Sequence, residues 1–251
     1  MHPLILQRLL KHADLNKSVE VINAGFPAYS TAHLFIVLML DVISWSPDLV
    51  IISANVNDLD VEYIANFQMD YSNKYKILVP DYYKDYTVMN VLFRWSSFYW
   101  FLKGKIESNP ISKSYSKTEL VKTLDNNEPL KISQYVYRRN LLNFYYIAHN
   151  WGIPVLYATQ PMDFSKTPKF AFLTSNPLSK RRLETIEQHH KFFNKIIKDV
   201  ATHTNSYFLD NDSLFEGDHK YFIDEEHYSK AGIEKLAHNY CDYIISQNII
   251  K

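Results

Sequence analysis

At 251 residues and 47% hydrophobic composition, the chain is long enough to bury one sizeable core and too short to require two domains. Lys+Arg and Asp+Glu both number 27, so no excess positive charge exists to attract a phosphate backbone or an anionic membrane surface, which argues against nucleic acid as a partner. The single cysteine, Cys241, cannot form an intrachain disulfide, and no run of ~18 or more apolar residues marks a transmembrane segment.

Leu4, Leu6, Leu9 and Leu10 form an apolar stripe at helical spacing. Val19-Glu20-Val21-Ile22-Asn23 predicts a strand that runs into the tight loop Ala24-Gly25-Phe26-Pro27. From Thr31 to Trp45 the residues Leu34, Val37, Leu38 and Val42 predict a helix, and Pro47-Asp48 separates it from a strand at Leu49-Val50-Ile51-Ile52. Later units repeat the alternation. A helix over Tyr137 to Asn150 precedes an apolar strand within Gly152 to Thr159; a helix over Ser179 to Thr202 precedes a strand at Ser206 to Asp210. Ser229 to Ile249 reads as a closing helix, with Cys241 in its apolar pattern. Apolar strands separated by amphipathic helices predict a parallel sheet covered on both faces.

Between about residues 60 and 133 the alternation gives way to tyrosine-rich polar sequence with one aromatic patch, Val91 to Leu102. It reads as an insertion into a single domain spanning 1–251, its aromatics expected to pack it onto the domain rather than to meet substrate or membrane. Tyr82-Tyr83 and Tyr145-Tyr146 are expected at interfaces or in the core rather than stacked on sugars.

In an open parallel sheet the ligand sits beyond the carboxyl ends of the strands, so the residues following each strand carry the functional expectation. Asp224 and His227 lie three apart, just before the closing helix. A carboxylate there can accept the Nδ1 proton of the imidazole, leaving Nε2 as general base. Asn57 follows the strand near Ser53 and can offer its amide N–H to an oxyanion, a donor worth roughly 3 to 4 kcal/mol of barrier, with Asp58 bracing the loop. Each feature alone has a plainer reading: a capping aspartate beside a surface histidine, and a turn capped by Asn57-Asp58.

Together these blocks resemble, in order, the SGNH (GDSL-like) hydrolase superfamily: Asn23-Ala24-Gly25 before a turn, a strand ahead of Asn57-Asp58, Gly152-Ile153-Pro154-Val155 before Thr159-Gln160-Pro161, and Asp224, His227 and Gly232. Asn194 within Phe192 to Lys195 and the pair Leu209-Asp210 extend the resemblance, which runs from about His2 to Ala237 excepting the insertion. The resemblance implies a doubly wound, flavodoxin-like, three-layer α/β/α fold and hydrolysis of an acyl or carbohydrate ester through a serine acyl-enzyme. By that similarity His227 is the base, Asp224 its partner, and Asn57 an oxyanion donor. The backbone N–H of Ala28 stands where the family has a glycine donor, with Gly25 supporting the same loop. No cofactor is implied, only a small-molecule ester substrate.

The sequence departs from the family at three places. Ala28 and Asn55 replace glycines, which is expected to narrow the site. The Gly-Asp-Ser block that supplies the nucleophile is absent, because His2 to Leu6 already resembles the helix after it. Ser30 and Ser53 lie near the site but on the wrong loops to replace it. In this topology the strand before that serine lies between Val19–Asn23 and Leu49–Ser53, and its loss leaves two rows of backbone groups without partners. The expectation is therefore that the sequence begins at an internal methionine. Read as written, the chain is unexported and cytoplasmic; a preceding segment would open export or membrane anchoring. The alternative function is a noncatalytic SGNH-like protein binding a ligand or partner through the same cleft. His189-His190, His203, His219 and His227 do not match a closed zinc site, so no metal is expected.

Overall fold

Three short apolar runs become strands: β1 (Val50–Ser53), β2 (Val155–Ala158) and β3 (Tyr207–Leu209), parallel and in that spatial order. The register pairs Val50 with Val155 and Leu156 with Tyr207. These come from a computed structural model that describes residues 2–13, 18–63, 67–72, 127–165, 180–215 and 218–250. Most of the expected insertion lies outside the described residues, including the Val91–Leu102 patch and Tyr82-Tyr83.

The strand pleat sorts side chains onto two cores. Val50, Ile52, Val155, Tyr157 and Phe208 face helices α2 (Thr31–Leu40), α3 (Val56–Glu62), α4 (Lys131–Asn150) and α5 (Lys180–His203). Ile51, Leu156, Ala158, Tyr207 and Leu209 face α1 (His2–His12) and α7 (Lys230–Ser246), which pack on each other. A short helix, α6 (Asn211–Phe215), follows β3 directly. The period-2 alternation thus divides the sheet between two helical layers, the three-layer, doubly wound α/β arrangement expected. Each fully buried Leu or Phe contributes about 1.5 to 3 kcal/mol to these layers. Leu6, Leu10 and Cys241 lie in the second core, whereas Leu4, expected in the same stripe, is 61% exposed.

Helix ends follow local chemistry. Gly152 takes a φ of +70° one residue past the C-cap of α4, and the Ile153 N–H closes back on the Ala148 carbonyl at 2.9 Å. That reversal aims Pro154 straight into β2. Helix α4 begins at Lys131, six residues before the start read from the sequence, because its polar first turn is anchored from outside: Leu130 N–H donates to Glu62 Oε1 at 2.8 Å. The predicted helix from Thr31 to Trp45 divides into α2 and a 3-10 turn over Val42–Trp45, and α7 stops at Ser246 rather than Ile249.

Val19–Asn23 corrects the strand expectation. It has no regular secondary structure and joins no sheet among the described residues; the Val21 N–H instead donates to Gln7 Oε1 at 2.8 Å. β propensity favours a strand, but a strand also needs a neighbouring ladder, and among the described residues β1 is paired only with β2.

Candidate active site

The C-terminal half of the site is a hairpin just ahead of α7. Phe222 and Tyr228 bridge antiparallel, Ser229 N–H bonds the Tyr221 carbonyl at 2.9 Å, and Ile223 N–H bonds the His227 carbonyl at 2.7 Å. Inside the bend, Asp224 Oδ1 accepts the backbone N–H groups of Glu226 (3.0 Å) and His227 (2.7 Å). The same carboxylate lies 2.9 and 3.0 Å from His227 Nδ1. A carboxylate only accepts, so Nδ1 carries the proton and Nε2 is the acceptor. Burial raises the Asp224 carboxyl, but the three donors from His227 and Glu226 outweigh it and hold the group below the usual carboxylate range. Burial likewise lowers His227; the Asp224 hydrogen bond and charge, with Glu226 and Glu225, outweigh it and raise the imidazole above its usual value. The His227 side chain remains 68% exposed, accessible to a reacting group.

Gly232 explains its place in the motif. A Cβ there would stand 2.0 Å from the Tyr221 carbonyl oxygen, a backbone atom of the same hairpin. Only glycine lets α7 begin this close to the loop, capped by Ser229 Oγ, which accepts the Gly232 N–H at 3.2 Å.

The N-terminal half is assembled differently. In the loop after Asn23, Gly25 N–H donates to Asn23 Oδ1 at 3.2 Å, and Ala28 adopts a φ of 61°. That is the left-handed region, costly for a residue with a Cβ. Asp58, 1% exposed, accepts the Thr31 N–H at 3.1 and 3.2 Å and the Thr31 hydroxyl, joining the first turn of α3 to the start of α2. Asn140 of α4 donates to the same Thr31 hydroxyl at 2.9 Å. Asn57 is half-buried in the first turn of α3. Asn55 sits at φ −165°, extended backbone that needs no glycine, and its side chain donates to Asn194 Oδ1 (2.6 Å) and the His190 carbonyl (3.1 Å). It tethers the loop to α5. Ser30 is fully buried, bonded to His33 Nδ1 at 3.1 Å, and Ser53 is exposed at the end of β1.

Between the halves lies the segment after β2. Gln160 Oε1 accepts the Val56 N–H at 3.2 Å, the Pro161 carbonyl accepts the Tyr228 hydroxyl at 3.3 Å, and Asp163 N–H donates to the Glu225 carbonyl at 2.9 Å. Asp163 also forms a second aspartate–histidine pair, its carboxylate 3.0 and 3.1 Å from His219 Nδ1, with Ser165 Oγ donating to Asp163 Oδ1 at 2.5 Å. Ser165 Oγ is itself 2.7 Å from that Nδ1. A nucleophile–base–carboxylate triad needs its serine and carboxylate on opposite ring nitrogens; both are on Nδ1 here, so this cluster cannot work as one. The 56-residue separation of Asp163 and His219 left no signal in the sequence beyond an aspartate shortly after the Thr159-Gln160-Pro161 block.

His189 and His190 diverge on α5. His189 Nδ1 meets the Tyr63 hydroxyl at 3.1 Å, while His190 Nε2 meets the Gln160 carbonyl at 2.7 Å and burial lowers its pKa, keeping it neutral. Among the described residues no three His, Cys, Asp or Glu side chains are grouped to hold a metal ion, and no helix is long and apolar enough to cross a membrane.

No family model and no curated protein matches the chain. Solved structures do. An acetyl-xylooligosaccharide esterase from Geobacillus stearothermophilus superposes with a TM-score of 0.53 at 16% identity, over 97% of this chain and 80% of its own. An acetyl xylan esterase gives 0.53 at 14% identity, over 97% and 90%. A Bacteroides fragilis protein provisionally assigned as an acylhydrolase gives 0.51 at 15%, over 98% and 85%. At this identity the likeness is one of fold: the chain shares the α/β architecture of these esterases.

Proposed function

We propose that the chain is the greater part of a serine ester hydrolase of the SGNH type, with the nucleophile supplied upstream of Met1. One observation carries the reading: a histidine held by a carboxylate at 2.9 Å, with its other nitrogen available as base, ahead of the last helix of a fold shared with acetyl xylan esterases. The edge of β1 supports the upstream strand, since among the described residues β1 has a partner on one side only and Val19–Asn23 joins no ladder.

In this mechanism the serine hydroxyl attacks the ester carbonyl while His227 Nε2 takes its proton. The Asn57 amide and the Ala28 backbone N–H stabilise the oxyanion, and Asp224 stabilises the imidazolium. The tetrahedral intermediate then collapses to an acyl-enzyme as His227 returns the proton to the departing alcohol. Water, deprotonated by His227, releases the acid and restores the serine. A small acyl group on a sugar is the substrate class the fold neighbours favour. Asp58 and Gly25 support the loops that present the two donors.

A second reading, a noncatalytic binding protein, is favoured by the serines present: Ser30 is buried on His33, and Ser165 shares Nδ1 of His219 with a carboxylate. Reading the genomic sequence upstream for an in-frame Gly-Asp-Ser, and assaying the extended protein on p-nitrophenyl acetate, separates the two. Hydrolysis by the extended protein supports the esterase; an inert extended protein leaves the binding reading.

A further inference from the structure

The segment Gln160–Asp163 touches both halves of the site and belongs to neither. On one side Gln160 Oε1 holds the first amide of α3, Val56 N–H, one residue before Asn57. Its carbonyl accepts His190 Nε2 at 2.7 Å, and its N–H lies 3.4 Å from Asn194 Oδ1, the atom that also receives Asn55. On the other side Asp163 holds the base-bearing hairpin at two points: its N–H on the Glu225 carbonyl, inside the Asp224–His227 bend, and its carboxylate on His219 at the hairpin's root. The Pro161 carbonyl takes the hydroxyl of Tyr228, the neighbour of His227.

We infer that Gln160 and Asp163 are positioning residues that set the spacing between the oxyanion loop and the base-bearing hairpin. The consequence for catalysis rests on the esterase reading; the contacts themselves do not. Asp163 suits the task physically. Its side chain is 1% exposed while His219 is 62% exposed, so a buried carboxylate anchors a ring that reaches across from a surface loop. Burial alone would raise this carboxyl, but the Ser165 and His219 hydrogen bonds hold it below the usual range, so the anchor is ionised at neutral pH. Charge-assisted bonds of this kind outlast neutral ones of equal length. The Asp224–His227 pair closes within its own turn, so losing Asp163 displaces the dyad as a unit rather than breaking it.

The test is site-resolved hydrogen exchange on residues 1–251, comparing Asp163→Asn, His219→Gln, their double variant, Gln160→Ala and Gln160→Glu. Asp163→Asn and His219→Gln are each expected to speed exchange about tenfold across residues 219–229, with β1 and β2 amides unchanged and the double variant no faster than either single one. Gln160→Ala is expected to speed exchange at the Val56 amide, and Gln160→Glu, which keeps the acceptor, to restore it. Unchanged exchange in the hairpin, or acceleration spread evenly over the sheet, overturns the inference. In an extended, active protein, Asp163→Asn should lower kcat about tenfold to a hundredfold with KM little altered, since small displacements of a positioned base cost this much. Unaltered kcat there, in a protein that His227→Ala inactivates, overturns the positioning role while leaving the esterase reading intact. An inert extended protein defeats the esterase reading alone, and the exchange data still decide the contacts.

Discussion

The hairpin that carries Asp224 and His227 is organised within itself, its bridge, bend and cap all closing over a few residues. The loops that carry Ala28 and Asn57 are held instead by partners 27 residues away at Asp58–Thr31 and 139 away at Asn55–Asn194. The first half orients the Asp224 and His227 side chains by local chain geometry; the second depends on helices α2, α4 and α5 being packed correctly. An aspartate–histidine pair can therefore be preorganised by sequence-local contacts, while the loops that carry Ala28 and Asn57 are products of the assembled fold.

The largest expected effect falls on the local half. In an extended protein with its serine, His227→Ala should reduce esterase turnover on the order of 10⁴-fold, measured on p-nitrophenyl acetate with folding checked by circular dichroism. Because the folded His227 titrates above its ordinary value of 6.5, the acid limb of the rate profile should lie above pH 6.5, and Asp224→Asn should move it downward. A limb below 6.5 would mean the pair does not operate as drawn.

Next comes Glu62, under the tertiary half. Burial pushes its carboxyl from 4.5 up to about 7 while it accepts the Leu130 N–H. The folded state thus keeps a proton that the unfolded chain releases. Stability should be full below pH 4.5 and should fall as pH rises through about 7, by on the order of 3 kcal/mol. Urea titrations at pH 5 and pH 8 measure this, and Glu62→Gln, which keeps the acceptor, should flatten the difference.

Gly232→Ala should cost about 1 to 3 kcal/mol, from overpacking against the Tyr221 carbonyl. Its signature is a lowered Tm with the hairpin amides exchanging first. The smallest effect belongs to Ala28→Gly, which should stabilise by about 1 kcal/mol by relieving the positive φ. A destabilised glycine variant would show that the left-handed conformation is not strained there.

Most of the helices and all three paired strands were legible because their signals are local: a 3.6-residue apolar period, or a β-branched run bounded by Gly and Pro. Asp224 and His227 were legible for the same reason, three residues apart in one bend. Val19–Asn23 was misread because the local pattern reports an extended chain and says nothing of the neighbour that would make it a strand. Asp163, His219 and Gln160 went unnoticed as a group, since nothing in a one-dimensional pattern announces contacts spanning 56 or 104 residues.

By itself, then, the sequence determined the longer helices and the three paired strands in their order, the covering of the sheet on two apolar faces, and the identity of the aspartate–histidine pair. Each depends on periodicity or on neighbours along the chain. Only the tertiary structure decided that Asp58 caps α2, that Asn55 turns toward α5, that Gly232 must lack a Cβ, and that one short segment after β2 touches both halves of the site. Those facts depend on which distant backbones approach within hydrogen-bonding or van der Waals distance, which is settled when the layers pack.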